Sequence, residues 1–249
     1  MTAQPDPFAH HPELRSRIAD AATSFFRSFS VERELEQNPE LEAFRDWVHT
    51  DAQREAIRAE ALKGREGDLW VFAYGSLMWD PALRFAEVRR AHADGYERRF
   101  ILKDDRGGRG NPEAPGLFAA LDKGAGCEGL AFRIAAEAVD TETEILFRRE
   151  IVGPGYVPGF VPIRFGGTKV SALSFLADHE CPDICGEISR EDQIRFIATG
   201  SGTLGTSQEY LANIVDHFAH LGIEDDHCTG LLRDVNAFMA SIAEKEPAR

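Results

Sequence analysis

The hexapeptide YGSLMW at residues 74–79 contains residue types that suit ligand binding. It follows an apolar, β-prone run, so we expect a strand to end here and the chain to turn. Because Gly75 has no side chain, successive backbone amides can approach a ligand closely and bind an oxyanion or a carboxylate. The same residues also fit a tight turn closed by Pro81, with apolar side chains packed in the core, and the pattern leaves both interpretations open. Ser76 is a poor candidate for a nucleophile because no Gly-x-Ser-x-Gly motif surrounds it.

Glu150 is a candidate general base because of its expected position. It lies at the C-terminal end of a helix predicted to begin near Thr141, and an apolar pair follows it. The helix dipole disfavours an anion at that end, and apolar surroundings disfavour the charged form, so we expect a raised pKa. A carboxyl group whose pKa approaches neutrality is a good general base. The alternative is an ordinary solvated carboxylate that the adjacent Arg148 and Arg149 neutralise.

Three other groups of residues have side chains that bind ligands in other proteins. His179, Cys181 and Cys185 suit a metal, but structural zinc sites usually contain two tight ligand pairs and one Cys-x3-Cys pair is present, so we predict no metal. The glycine-rich residues 198–207 lack the Gly-Lys-Ser/Thr ending of a phosphate-binding loop, which favours a turn with a helix cap. Tyr210 lies beside the apolar stripe of a predicted helix, where its hydroxyl faces either a cavity or the edge of the core.

The elements that must position these residues begin with an N-terminal region of helical character. Apolar residues recur at helical spacing between residues 12 and 29, which predicts one helix, and between residues 41 and 62, which predicts one or two more. The charged, glycine-containing residues 63–68 then mark a boundary. A second region, in which β-prone runs dominate, begins after it.

This second region alternates short β-prone runs with turn residues. Several such runs lie between residues 70 and 175, and their spacing predicts a mostly antiparallel sheet or barrel. One helix interrupts them, and three amphipathic helices follow. Two Thr-x-x-Glu sequences predict capping boxes at helix N-termini: Thr141 with Glu144, and Thr206 with Glu209.

Composition and charge narrow the classes of function. The chain has 249 residues, 43% of them hydrophobic, which is enough for one sizeable core with an appended subdomain. Its 28 basic and 42 acidic side chains give a net charge of −14, which disfavours nucleic acid and membrane surfaces as partners and favours a small molecule or a protein. It has no run of about 18 apolar residues and no secretory-signal pattern, so we expect a cytoplasmic protein whose cysteines are reduced.

The order of the motifs along the chain is more specific than any one of them. From about Trp70 to about Val235 the sequence contains FAYGSLMWDP, GYERRFIL, PGLFAALDKGAGCEGLAFRI, FRREI, GYVPGFVPIRF, ALSFLADHECP, GSGTLGTSQEYL and LGIEDDH. Together these segments closely resemble the ChaC-type γ-glutamylcyclotransferase family. The resemblance implies an α+β fold, a γ-glutamylcyclotransferase-like mixed β-barrel with flanking helices, for a catalytic domain of residues 67–249. It does not include residues 1–66, the predicted N-terminal helical extension that precedes this domain.

The resemblance also implies a reaction and the residues that carry it out. The reaction is cyclisation of the γ-glutamyl group of glutathione, which releases 5-oxoproline and cysteinylglycine without a cofactor or a metal. The family's essential carboxylate, in an Arg-Glu pair that closes a helix, corresponds to Glu150. Its loop that binds the γ-glutamyl group corresponds, with its continuation, to Tyr74, Gly75, Ser76, Leu77, Met78 and Trp79. Tyr210 corresponds to a tyrosine that contacts substrate, in an element where Ser207 stands in place of the usual Asn.

Two other functions stay open at this level. The same loop would bind the γ-glutamyl half of other γ-glutamyl amides or amines, with the rest of the pocket selecting the leaving group. Alternatively, the barrel is a non-catalytic binding module with a regulatory role, as the family's naming as a cation-transport accessory suggests. The sequence does not indicate the oligomeric state or the role of the N-terminal helices. It also does not indicate whether Cys181, Cys185 or Cys228 has a redox role.

Overall fold

The computed structural model of the protein describes residues 6–244, apart from the side chains of Glu40 and Ala43. Its α-helices are α1 (Val31–Gln37), α2 (Asp51–Leu62), α3 (Val139–Glu150), α4 (Arg190–Thr199), α5 (Ser207–Leu221) and α6 (Asp226–Ala243). Its strands are β1 (Leu69–Ala73), β2 (Glu87–Asp104), β3 (Gly116–Ile134), β4 (Tyr156–Phe165), β5 (Thr168–Ala177), β6 (Ser201–Gly202) and β7 (Gly205–Thr206). Short 3₁₀ turns cover Pro12–Ser16, Phe25–Arg27, Pro39–Phe44, Ser76–Met78 and Ala136–Ala138.

Strands β1 to β5 form a closed barrel in the order β1-β3-β2-β4-β5, with a further pairing between β3 and β5. Strand β1 runs antiparallel to β3 and parallel to β5, and β4 runs antiparallel to both β2 and β5. Large aromatic side chains fill the barrel core, and burying each stabilises the fold by about 1.5–3 kcal/mol. Helix α3 contributes Phe147, whose ring centre lies 5.4 Å from that of Phe175 on β5. This contact holds the apolar face of α3 against the barrel.

Strand β3 is longer than the sequence pattern predicts. The β-prone runs GLFAALD and CEGLAFRI are parts of one strand, which continues through residues 123–126. Glycine suits this place because a Cβ on Gly124 would lie 2.2 Å from the Glu97 side chain, and a Cβ on Gly126 would lie 2.4 Å from that of His92. The glycines that resemble a turn in the sequence therefore let two long barrel strands pass close to one another.

The helix predicted between residues 12 and 29 is wrong. The chain makes two 3₁₀ turns there, Pro12–Ser16 and Phe25–Arg27, joined by irregular backbone. Several of the apolar residues that suggested a helix are nevertheless buried. Backbone bonds to distant residues replace helical ones, for example from the Ala19 N–H to the Trp79 carbonyl at 2.7 Å. Tertiary contacts override the local pattern here, whereas the later N-terminal prediction is confirmed by α2.

The two predicted capping boxes have opposite outcomes. The Thr206 hydroxyl accepts from the Glu209 N–H at 3.0 Å, and the Glu209 carboxylate accepts from the Thr206 N–H at 2.9 Å, so α5 begins as predicted. Helix α3 instead begins at Val139, and no side chain caps it. Thr141 already lies inside the first turn of α3, so it is too far along the helix to cap it.

By its contacts the chain divides into two compact units. The first contains the residues up to Arg99 and Ala120–Asp178, and the second contains Phe100–Ala119 and the residues from His179 onward. Helices α1 to α3 and the barrel strands belong to the first unit, except that β2 ends and β3 begins in the second. Helices α4 to α6 belong to the second unit, and they confirm the three helices predicted after the strands. The predicted domain boundary after residue 66 stays a prediction.

Candidate active site

The YGSLMW residues begin where strand β1 ends. Tyr74 is buried, and its hydroxyl donates to the Phe175 carbonyl of β5 at 2.7 Å, which fixes the end of β1 in the barrel wall. The 3₁₀ turn Ser76–Met78 follows, with the Met78 N–H donating to the Gly75 carbonyl at 2.9 Å. The chain therefore turns immediately after the strand, as the sequence pattern predicts.

The turn separates buried side chains from available backbone amides. Leu77 and Met78 are 5% and 0% exposed, so their side chains belong to the core, as the tight-turn interpretation predicts. The amides of Ser76 and Leu77 donate to no acceptor within residues 6–244, which is usual for the first residues of a helical turn. Amides of this kind bind anionic oxygen atoms. The two interpretations of the hexapeptide are therefore compatible, because the side chains pack while the backbone stays available.

Glu150 is the last residue of α3, and its side chain is largely buried. Its side chain is 15% exposed, while the following Ile151 is fully buried. Burial raises the pKa of the Glu150 carboxyl above its ordinary value, and the charge and hydrogen bond of Arg149 oppose that rise. The direction of the pKa is the predicted one, with burial as its main cause. A carboxyl group that is largely desolvated yet reachable is suited both to accept and to donate a proton.

Arg149 connects Glu150 to the turn. Its Nε donates to Glu150 Oε1 at 2.8 Å, and its Nη2 donates to the Ser76 hydroxyl oxygen at 2.8 Å. Its Nη1 donates to the backbone carbonyl of Asp80. Its guanidinium carbon lies 4.1 Å from the centre of the Phe26 ring, and its side chain is 2% exposed. One buried arginine therefore holds the carboxylate and the turn in a single hydrogen-bonded unit.

Sequence reasoning found both ends of this arrangement but not the residue that joins them. It treated Arg149 as a neutralising charge and assigned nothing to Phe26. Basic residues are common at helix C-termini, where their charge interacts favourably with the helix dipole. The Arg148-Arg149 pair is therefore weak evidence that either residue belongs to the site. The helical spacing is better evidence. Arg149 follows the buried Ile145 and Leu146 by four and three residues, which places it on the inward face of the helix.

Tyr210 belongs to the second compact unit, where it lies on α5. The residue is 3% exposed, and its ring packs edge-on against Phe118 with the centres 5.6 Å apart. The guanidinium of Arg109, a residue that sequence reasoning missed, lies 4.8 Å from the Tyr210 ring centre. Arg109 Nη1 donates to the Thr206 carbonyl at 2.9 Å, and its Nε is buried with no partner among the described residues. Burial lowers the pKa of this arginine.

Ser207, at the position where the resemblance implies Asn, is fully buried in the second unit. Its hydroxyl oxygen accepts from the Leu117 N–H at 2.9 Å and lies 3.3 Å from the carbonyl oxygens of Arg109 and Leu117. It therefore ties the start of α5 to the start of β3 and to the loop that carries Arg109. These contacts give the residue a structural role.

Two of the candidate metal ligands, Cys181 and Cys185, are at least partly buried. Cys181 is buried with its sulfur 3.8 Å from an Asp183 carboxylate oxygen, and Cys185 is half-buried. In the described part of the chain, no group of three or more His, Cys, Asp or Glu side chains is arranged to hold a metal ion. The four cysteines all lie in that part of the chain, and none of them forms a disulfide.

Several known proteins are similar to this chain in sequence. The family model described as ChaC-like protein matches residues 69–238. The glutathione-specific gamma-glutamylcyclotransferase of Escherichia coli (strain K12) is 35% identical over 191 residues, which cover 76% of this chain and 82% of that protein. Glutathione-specific gamma-glutamylcyclotransferase 1 of Homo sapiens is 29% identical over 187 residues, which cover 72% of this chain and 84% of that protein.

A solved structure is similar in fold. The crystal structure of a yeast gamma-glutamyl cyclotransferase specific to glutathione matches with a TM-score of 0.64 and 21% identity, over 70% of this chain and 97% of that one. At that identity the match is evidence for the fold alone, and it confirms the predicted barrel with flanking helices. The family model covers more than half of the chain and agrees with the resemblance that the motifs carry. The protein therefore belongs to the ChaC-like family.

Proposed function

We propose that this protein is a γ-glutamylcyclotransferase that degrades glutathione to 5-oxoproline and cysteinylglycine, with Glu150 as its general acid and base. The relatives above are named glutathione-specific γ-glutamylcyclotransferases, and the activity predicted from the motifs agrees with those names. The observation on this chain that carries the proposal is the Glu150 carboxyl, which has a raised pKa and is linked through Arg149 to the turn at Ser76.

The reaction needs two proton transfers that one carboxyl group can perform. The α-amine of the γ-glutamyl group attacks its own γ-carbonyl carbon, so a ring C–N bond forms while the bond to the cysteinyl nitrogen breaks. Glu150 accepts a proton from the α-ammonium and donates it to the departing nitrogen. The second proton, which the attacking nitrogen loses once the ring bond has formed, follows the same route, so that cysteinylglycine leaves in its ammonium form. A raised pKa suits both steps, because the group must be ionised to accept the proton and protonated to donate it.

The turn after β1 supplies the second part of the mechanism. In the tetrahedral intermediate the γ-carbonyl oxygen becomes an anion, and the unused amides of Ser76 and Leu77 are donors suited to it. Because the attack is intramolecular, holding the γ-glutamyl chain in its folded conformation supplies much of the rate. Leu77 contributes through its backbone amide and Met78 by closing the turn, since the side chains of both are buried in the core.

The other assigned residues have supporting roles in this proposal. Tyr74 and Trp79 flank the turn, and the Tyr74 hydroxyl is bonded to the barrel wall. Tyr210 is proposed as a substrate contact on the family resemblance. None of these three side chains transfers a proton in the proposed mechanism, so we assign Tyr74 and Trp79 to the shape of the turn and Tyr210 to substrate binding.

A small-molecule partner and a cytoplasmic location are part of the proposal. Glutathione keeps cytosolic thiols reduced, and the four cysteines of this chain form no disulfide. The net charge of −14 argues against a nucleic-acid partner. No helix within residues 6–244 is both long enough and apolar enough to cross a membrane.

Turnover of glutathione by the purified protein is the direct test. With millimolar glutathione we expect the wild type to release 5-oxoproline and cysteinylglycine in equal amounts. Glu150→Gln should lower kcat by about 10²–10⁴-fold, the usual range for loss of a general acid–base group. Glu144→Gln is the matched control, because Glu144 lies on the same helix with 60% of its side chain exposed and should leave kcat unchanged.

The results separate the alternatives. An active Glu150→Gln protein would contradict the assignment of the acid–base group. Turnover of another γ-glutamyl amide, with no product from glutathione, would mean that the protein catalyses the same cyclisation with a different leaving group. No turnover of any γ-glutamyl compound, together with stoichiometric binding to a transport protein, would favour the binding-module function.

A further inference from the structure

Residues 19–49, which we call the N-terminal arm, contact both chain segments of the candidate active site. The arm lies outside the region that the family model matches. At one segment, the Ala19 N–H donates to the Trp79 carbonyl at 2.7 Å, at the end of the YGSLMW residues. At the other, the His49 N–H donates to the Val152 carbonyl at 2.8 Å, two residues after Glu150. The arm is therefore bonded to both segments that the proposed reaction uses.

A buried ion pair anchors the arm on helix α3. The two Nη atoms of Arg27 donate to the two carboxylate oxygens of Glu142 at 2.5 and 2.8 Å, and the Glu142 side chain is 3% exposed. Arg27 Nη1 also donates to the Ala82 carbonyl at 2.9 Å, and Glu142 accepts from the Arg84 N–H at 2.9 Å. A bidentate pair has a restricted geometry. Since Phe26 is the preceding residue, this pair restricts where its ring can lie.

Phe26 is the arm residue that reaches Arg149. It lies in the short turn Phe25–Arg27, which Ser24 caps by accepting from the Phe26 N–H at 3.2 Å. The ring centre lies 4.1 Å from the guanidinium carbon of Arg149. A cation over an aromatic face is attracted by the ring quadrupole, and a planar guanidinium stacks well on it. The guanidinium carbon thus lies over the ring, while all three guanidinium nitrogens make the hydrogen bonds described above.

We infer that the N-terminal arm is a positioning element of the active site, and that Phe26 acts on Glu150 through Arg149. This inference rests on the proposed function. An arginine that lies over an aromatic ring and donates from all three of its nitrogens has one orientation, so the carboxylate and the turn that it binds keep one relative position. Loss of the ring frees the guanidinium to rotate. The resulting displacement of Glu150 lowers kcat, while the loop that binds the γ-glutamyl group is retained.

The experiment distinguishes the effect of the aromatic ring of Phe26 from that of its apolar volume. Phe26→Leu keeps an apolar side chain but removes the ring, whereas Phe26→Tyr keeps the ring. Phe165→Leu is the matched control, because this ring, on strand β4, also lies under an arginine: the guanidinium carbon of Arg89 is 4.9 Å from its centre. Thermal unfolding first checks that each full-length variant is folded at the assay temperature. Steady-state kinetics with glutathione then give kcat and KM separately.

We expect Phe26→Leu to lower kcat by about threefold to thirtyfold and to leave KM within about twofold, the range for loss of a desolvated cation–π contact. Phe26→Tyr and Phe165→Leu should each stay within about twofold of the wild type. In an Arg149→Lys background no planar guanidinium is left to stack, so Phe26→Leu should then change kcat by less than about twofold. A purely structural role of Phe26 would not depend on the side chain at position 149.

Two results would overturn the inference. One is a wild-type kcat in Phe26→Leu, and the other is an undiminished effect of Phe26→Leu in the Arg149→Lys background. Failure of the proposed function gives a different result, because the wild type would then release no 5-oxoproline from any γ-glutamyl compound. In that case the inference fails together with the proposed function.

Discussion

Each compact unit contains a largely desolvated arginine that lies over an aromatic ring, and the two arginines differ in their partners. Arg149 lies 4.1 Å from the Phe26 ring centre and binds the Glu150 carboxylate. Arg109 lies 4.8 Å from the Tyr210 ring centre, and among the described residues no carboxylate lies within ion-pair distance of it. Arg149 forms an ion pair with a carboxylate, whereas the Arg109 guanidinium forms none among the described residues.

This difference has opposite electrostatic consequences. At Glu150, burial raises the pKa of the carboxyl and Arg149 limits that rise, so the pair sets the proton affinity of the proposed acid–base group. At Arg109, burial lowers the pKa of the guanidinium itself, and nearby acidic groups oppose the change without contacting it. A desolvated cation without an acid partner costs free energy that packing elsewhere must offset. An arginine over a ring is therefore paired directly with an acid in one unit, whereas in the other unit the acidic groups act on it only from a distance.

Replacing each arginine with methionine should produce the largest difference between the two units. Arg149→Met leaves the largely buried Glu150 carboxylate without its partner and should lower the free energy of unfolding by about 3 kcal/mol, the lower end of the range for breaking a buried ion pair. Arg109→Met leaves no carboxylate behind, so we expect a change within about 1 kcal/mol. Urea unfolding of both variants measures the difference. Equal destabilisation would show that the acid partner is not what distinguishes the two arginines.

Turnover should be sensitive to the paired arginine. Arg149→Met should lower kcat by about 100-fold, the effect expected when a catalytic group is misplaced by about 1 Å. Arg133→Met is the control, because Arg133 is likewise paired with carboxylates, those of Asp68 and Glu87. It should lose stability but not kcat. If Arg149→Met retained the wild-type kcat with glutathione, the pair would have no positioning role.

The pH dependence of kcat/KM should report the pKa of Glu150. Below that pKa the carboxyl is protonated and cannot accept the proton of the α-ammonium, so kcat/KM falls as the pH decreases through it. We expect this acid limb above the ordinary value of 4.5 in the wild type. In Arg149→Met the limb should move to higher pH, because Arg149 is the group that lowers the pKa. A shift to lower pH in the variant would contradict this assignment.

The smallest expected effect is at Ser207 in the second unit. Ser207→Ala removes the acceptor of the Leu117 N–H and should lower the free energy of unfolding by about 1 kcal/mol, the low end of the cost of an unsatisfied buried donor. The exposed Ser201 offers a matched control in the same unit, and Ser201→Ala should stay within about 0.5 kcal/mol. An unchanged stability in Ser207→Ala would mean that water replaces the hydroxyl.

Local patterns predicted the elements whose stabilising contacts lie close together in the sequence. The capping box of α5 joins Thr206 to Glu209, and the apolar stripe of the same helix repeats within a few residues. Predictions were wrong where contacts with distant residues decide the outcome. Residues 12–29 form 3₁₀ turns because their backbone bonds elsewhere, and residues 123–126 continue β3 because the neighbouring strand β2 passes close to the glycines.

By itself the sequence determined the family, the barrel with flanking helices, the turn after β1 and the position of Glu150 near the end of a helix, because each depends on motifs or on short-range periodicity. Only the tertiary structure decided which arginine binds Glu150 and what the N-terminal arm contacts. Ser76 and Arg149 are 73 residues apart in the chain, and Arg27 and Glu142 are 115 apart. Contacts over such separations depend on how α3, the barrel and the arm pack, and no local pattern encodes that packing.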